Sequence, residues 1–196
     1  MKKTSIVILA VVGLLALCFF WGVGINNKLV NTEENVSQAW GQVENAYKRR
    51  ADLIPNLVET VKGYAAHEQG TFEAVVNARA KATQITLDPT NLTPEKLQEF
   101  QKAQGELGSA LGRLIAVQEN YPDLKANENF KDLQVQLEGT ENRINEARNK
   151  FNAVVQNYNV VIRSFPKNIL AGMFGFDKMT KFEADADAQK APQVKF

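Results

Sequence analysis

The segment FKDLQVQLEGTENRINEARNKFNAVVQNYNVVIRSF, residues 130–165, decides the fold. Phe130, Leu133, Leu137, Thr140, Ile144, Ala147, Phe151, Val154, Tyr158, Val161 and Phe165 recur at steps of three and four. That is the period of an α-helix with one apolar face, held close to a heptad along the whole segment. Asn127 stands at the expected N-cap, and Pro166 stops the run.

Upstream lies a second stripe of the same kind. Leu97, Phe100, Gln104, Leu107, Leu111, Leu114 and Gln118 share one line, flanked by Ala103, Ala110, Ile115 and Tyr121. Asp88-Pro89 marks a turn before it. Thr93 followed by Pro94 is an N-cap with proline at the first helical position, and Pro122 is expected to end the helix.

Further upstream, Val36, Trp40, Val43, Tyr47, Ala51, Ile54, Val58, Val61 and Ala65 define another apolar stripe, widened by Leu53, Leu57 and Tyr64. This helix is expected to begin near Asn31 or Thr32. Pro55 lacks a donor and crowds the carbonyl of Ala51, so a bend is expected near Ala51–Asp52. Gly70 is the expected weak point, with Thr71 capping a restart through Phe72, Val75, Val76, Arg79 and Ala82. The alternating pattern of a β-strand is absent. Three long stripes joined by short connections predict an all-α, elongated antiparallel bundle of three long helices plus a short C-terminal helix.

The chain opens with MKKTSIVILAVVGLLALCFFWGVGI, and Ile6 to Ile25 carries no charge. A run of that length crosses a hydrocarbon core of roughly 30 Å as a helix. A cleaved signal peptide has a shorter apolar core and small residues at its cut site, whereas here Phe19, Phe20 and Trp21 fit an interfacial aromatic belt. Lipid attachment at Cys18 is disfavoured by Leu17 before it and by the bulky residues after it. Residues 1–27 are therefore expected to be an uncleaved transmembrane anchor, residues 28–176 the bundle, and residues 177–196 a polar, disordered tail. Lys2, Lys3 and the terminal amine precede the span. Lys28, then Glu33 and Glu34, follow it. The positive-inside rule puts the N-terminus in the cytoplasm and the bundle outside, with Lys48, Arg49 and Arg50 weighing the other way. Ile169, Leu170, Met173, Phe174 and Phe176 form an apolar patch that either folds back on the bundle end or touches the membrane or a partner.

The chain has 196 residues and a formal net charge of +1, which gives no electrostatic reason to expect nucleic acid. The one histidine, His67, and the one cysteine, Cys18, leave no basis for a zinc site, a thiol nucleophile or a histidine-centred relay. The glutamates on the helices lack the Glu-x-x-His pattern of di-iron bundles. EADADAQ near the C-terminus lacks the glycine and distant glutamate of an EF-hand. No catalytic residue, metal or cofactor is expected, and a small-molecule ligand is disfavoured. The most unusual polar cluster is KRRADLIP, where Lys48, Arg49, Arg50 and Asp52 surround the expected bend. Glu119, Glu141 and Arg148 are candidate partners on other helices. Structural ion pairing is the favoured role for Arg49, Arg50, Asp52, Glu119, Glu141 and Arg148, with anion binding as the alternative.

Several long blocks resemble one family. They are NVSQAWGQVENAYKRRADLIPNLVETVKGYAAHE (35–68), VVNARAKA (75–82), AVQENYPDLKANENFKDLQVQLEGTENRINEARNKFNAVVQNYN (116–159) and FPKNILAGMFGF (165–176). In this order they resemble the LemA family over almost the full chain. The resemblance implies a bacterial cell-membrane protein, in the inner membrane if the cell is Gram-negative, with an elongated bundle of long helices. It carries over no catalytic assignment. The functional expectation is a membrane-anchored scaffold or adaptor that works through a protein partner, self-association or the bilayer. The alternative is a small-ligand or anion sensor, or an enzyme, using the arginine-rich bend at residues 48–52.

Overall fold

The computed structural model describes residues 2–183. Its helices are α1 (Lys2–Tyr64), α2 (Gln69–Gln84), α3 (Pro94–Ala116), α4 (Pro122–Ala126), α5 (Glu128–Arg163) and α6 (Lys167–Phe174). The helical-bundle expectation holds. The helix boundaries differ from the expected ones in three places, each for a physical reason.

The first is at the membrane end. The anchor and the first bundle helix are one uninterrupted helix of 63 residues. At 1.5 Å per residue it is about 95 Å long. Thr32, read as a start signal, instead turns its Oγ1 back to accept a place inside the helix, donating to the carbonyls of Leu29 (2.8 Å) and Lys28 (3.1 Å). Leu29, Val36, Ala39 and Trp40 are buried, so the apolar stripe runs straight out of the anchor into the core.

The second is at the far end. The helix breaks at residues 65–68, before Gly70, which lies inside the first turn of α2. Glu68 holds the N-cap position without a side-chain cap, and Thr71 is already helical. The gain comes from tertiary packing. Folding back lets Phe72, Val75, Ala78 and Ala82 share a core with Leu57, Val61, Leu107 and Leu114. Pro55 remains inside α1.

The third is at residues 117–126. A 3-10 turn (Val117–Asn120) follows α3, and Pro122 begins α4 as its first helical residue. The predicted caps elsewhere are in place. Thr93 Oγ1 accepts from Lys96 N (3.3 Å), and Asn127 Oδ1 accepts from Phe130 N (2.9 Å). Asp88 accepts from the Thr90 backbone and hydroxyl and from Asn91, and these bonds hold its carboxyl below the usual range.

α1 and α5 pack antiparallel in constant register. Trp40 meets Phe151, Arg50 meets Glu141 and Tyr64 meets Asn127, at equal steps along both helices. α2 and α3 fill the distal flank, giving an up-down-up-down arrangement there. The core forms two clusters. One surrounds Trp40, Phe100, Phe151 and Tyr158 near the membrane end. The other surrounds Leu57, Phe72, Leu107 and Phe130 at the distal end.

α5 ends at Arg163, so Phe165, the last residue of the expected stripe, is exposed. α6 follows and is closed by Gly175, whose φ of 78° is left-handed and lets Phe176 N donate to the carbonyl of Ala171 (2.9 Å). Residues 177–183 correct the expectation of a disordered tail from residue 177. They lie along α5 and send Met179 and Phe182 into the core. The rest of that tail, residues 184–196 with most of EADADAQ, falls outside the described residues.

Candidate functional site

Arg50 sits where α1, α3 and α5 converge. It is 4% exposed, with a guanidinium held on three sides. Nη1 donates to Glu141 Oε1 on α5 (2.7 Å). Nη2 donates to the side-chain and backbone oxygens of Gln104 on α3. The Tyr47 ring lies under the guanidinium carbon at 5.2 Å. Gln104, itself buried, completes the chain by donating Nε2 to the carbonyl of Ala82 on α2 (3.3 Å). One cation therefore ties four helices. Its charge is compensated, and Nε is buried without an acceptor among the described residues.

The turn of α1 at Ala51–Asp52, where Pro55 led to the expectation of a bend, has a different polar partner. Pro55 offers no N–H to the carbonyl of Ala51. Arg79 of α2 supplies the missing donor, with Nε at 2.8 Å from that oxygen. Sequence reasoning placed Arg79 only on the stripe of the helix restart after Gly70. The missing donor at Pro55 was the signal that could have identified its target.

The other candidate residues do not join this centre. Arg49 is exposed and lines a shallow groove between α1 and α5 with Arg143, Glu146 and Lys150. Asp52 is exposed at the rim of a separate cleft. Glu119 pairs with Lys125 (2.9 Å) at the exposed distal end, a contact of little energetic weight. Arg148 lies over the Phe182 ring at 4.9 Å and donates Nη2 to the Glu183 carbonyl (3.5 Å). Arg50 and Glu141 are brought together as an ion pair.

Sequence reasoning missed the docking of residues 179–183. Asn152 and Asn159, two turns apart on α5, each read both backbone groups of one residue. Asn152 accepts from Phe182 N (2.8 Å) and donates to its carbonyl (3.0 Å). Asn159 does the same for Met179 (2.9 and 2.8 Å). Seven residues of helix rise about 10 Å. Three residues of extended chain span the same length, so the two asparagines fit the strap in register. Phe182 then stacks on Trp40 with centroids 5.9 Å apart.

Beside Arg79 a cleft of about 340 Å³ opens between α1, α2 and α3. Trp40, Tyr47, Phe100 and Leu107 form its apolar wall, with Glu44, Lys48, Asp52 and Arg79 among its polar residues. Trp40 Nε1 is buried without an acceptor among the described residues. Nearer the membrane end, Tyr158 is fully buried and its hydroxyl is also unpartnered. Burial, then the charges of Glu33 and Asp177, push it up to about 12. Burial and Glu34 raise Glu33 in turn. Among the described residues no group of three or more His, Cys, Asp or Glu could hold a metal ion.

The most apolar window of α1 is wholly outside the bundle, with none of it buried. A core helix would hide such a surface, and this one offers it to a membrane. The fold thus defines an all-helical bundle raised on an apolar helix long enough to cross a bilayer. A family model described as "LemA family" matches residues 39–196, and the chain belongs to that family. Magnetosome protein MamQ 2 of Paramagnetospirillum magneticum is 28% identical over 174 residues, covering 80% of this chain and 64% of the relative. Magnetosome protein MamQ of Magnetospirillum gryphiswaldense is 28% identical over 173 residues, with the same coverage. The chain thus spans 64% of the length of these relatives. Protein LemA of Metamycoplasma hominis is 24% identical over 170 residues, covering 87% of this chain and 74% of the relative.

Proposed function

We propose that this protein is a membrane-anchored helical scaffold that binds protein partners along the sides of its bundle and performs no catalytic step. The observation that carries the reading is the continuity of α1. One helix is both anchor and spine, so a partner bound to the bundle is held at a fixed height above the bilayer. The closed Arg50 centre supports the same reading. Its cation is ion-paired with Glu141 and hydrogen-bonded to Gln104, and serves cohesion between helices. The magnetosome relatives agree with membrane association. Residence in a bacterial cell membrane, with Lys2 and Lys3 on the cytoplasmic side and the bundle outside, belongs to the same proposal.

Photo-crosslinkers at Val76 and Val135, both exposed on the distal bundle, test it in the native membrane. The expected result is one recurring partner captured from these sites and absent at Leu14 in the anchor. Efficient self-crosslinking with no other protein captured overturns the adaptor role.

One observation favours a second reading, a small-ligand sensor. The Trp40–Arg79 cleft combines an aromatic wall with opposite charges. Titration of candidate amphiphiles against Trp40 fluorescence, in a Trp21→Phe background, tests it. A saturable change abolished by Arg79→Gln supports the sensor, and a flat response rejects it.

A further inference from the structure

We propose that α6 is an interfacial foot, a short helix that inserts one apolar face into the lipid surface beside the anchor. The proposal rests on the reading of residues 6–25 as membrane-spanning. Phe165, Ile169, Met173 and Phe174 are 82%, 55%, 73% and 54% exposed, the densest patch of large apolar side chains outside the anchor among the described residues. The others, Val30, Tyr64, Val76, Val135 and Val160, stand singly along the sequence. Single exposed apolar residues need no explanation, whereas a contiguous patch marks a contact.

The opposite side of α6 is already used. Ala171 is buried and Leu170 packs against the membrane-end core, which fixes the helix in place and leaves the Ile169–Met173–Phe174 side outward. That outward side is continuous with the anchor. Phe174 shares a groove with Cys18, Phe19, Gly22, Val23 and Asn26 of α1. If the hydrocarbon boundary falls at Ile25, the middle of that groove lies roughly 5 Å inside it at helical rise. An apolar helix face resting in an interface penetrates about 5–10 Å, so the depth matches. Between residues 163 and 178, Arg163, Lys167 and Lys178 face a single carboxylate, Asp177. That basic excess suits lipid phosphates. A protein partner on this face would have to occupy the space that lipid around Phe19 and Val23 already fills.

The test is collision spectroscopy on full-length protein in vesicles of phosphatidylcholine and phosphatidylglycerol. In a Cys18→Ser background, a nitroxide is placed singly at Leu14→Cys, Ile169→Cys, Met173→Cys or Val76→Cys. Oxygen concentrates in lipid, and a nickel chelate stays in water. The expected result is high oxygen and low nickel accessibility at 14, the reverse at 76, and a shift at 169 and 173 toward the lipid pattern. Water-like values at 169 and 173 with a lipid-like 14 overturn the foot and leave the anchor standing. Water-like values at 14 overturn the anchor as well. Low accessibility to both agents at 173 means a protein, including a second copy, covers α6, and also overturns the proposal.

Discussion

Arg50 and its neighbour Arg49 look alike in the sequence, yet only Arg50 is buried and held across helices. The stripe read from the sequence runs through Ala51 and treats the two alike, although Arg50 stands three residues after Tyr47 and four before Ile54, on the buried side. The sequence does not show Gln104 as the ligand, because Gln104 reads as an ordinary polar member of its own stripe. The pair is asymmetric, since the Glu141 side chain is 45% exposed while Arg50 is not. Removing the acid strands a buried cation. Removing the cation returns a half-solvated acid to water. Glu141→Ala should therefore cost about 2 kcal/mol, with Gln104 and Tyr47 still facing the charge, and Arg50→Met about 1 kcal/mol or less. Denaturant unfolding in micelles checks the order, and equal or reversed losses would show that the pair is not desolvated. Tyr158 is a second inconsistency in local chemistry, a buried hydroxyl without a partner among the described residues. Tyr158→Phe is expected to stabilise the fold by about 1 kcal/mol at neutral pH. The raised phenol adds a pH signature. An unfolded tyrosine ionises near pH 10 while the folded one resists to about 12, so wild-type stability falls as pH rises through that window. The Phe variant should lack this fall, and melting curves at pH 8 and pH 11 read the difference.

The long stripes of α3 and α5 were legible because burial on one face leaves a periodic mark, and Thr93 and Asn127 were legible because capping needs particular side chains. A break near Gly70 was legible too, but its place directly after Tyr64 was not, since that arises from packing of α2 against α1 and α3 and not from a local breaker. The strap at residues 177–183 was hidden for a similar reason. Its backbone bonds go to asparagine side chains on another helix, so it carries no periodicity of its own. Only the apolar series Phe176, Met179 and Phe182 within a polar stretch hinted at it. The two asparagines are predicted to be what keeps this segment down. Asn152→Ala with Asn159→Ala leaves four backbone groups of the strap without those partners and releases Phe182 from Trp40. Trypsin should then cut after Lys178 and Lys181 well before the wild-type chain is cut there. Equal cleavage in both would mean that burial of Met179 and Phe182 suffices without the asparagine contacts.

A continuous spine makes orientation a property of the entire chain, because the bundle must follow α1 to whichever side it emerges. The charges that choose the side are few. Lys2, Lys3 and the amine stand before the span, and Lys28 stands after it with Glu33 and Glu34. Acidic residues contribute little to the positive-inside bias, so the choice rests on the lysines. With the bundle outside, a Val135→Cys probe in the Cys18→Ser background should react with an impermeant maleimide on intact spheroplasts. The small margin has a consequence that a strongly biased anchor would not show. Lys2→Glu with Lys3→Glu removes the inward excess and leaves Lys28, Lys48, Arg49 and Arg50 as the uncompensated basic group. A substantial fraction of chains should then insert with the bundle inside, and labelling at position 135 should fall accordingly. Undiminished labelling would mean that the folded bundle, and not the flanking charge, commits the chain to its side. A wild-type protein unlabelled until the membrane is opened would reverse the orientation proposed here.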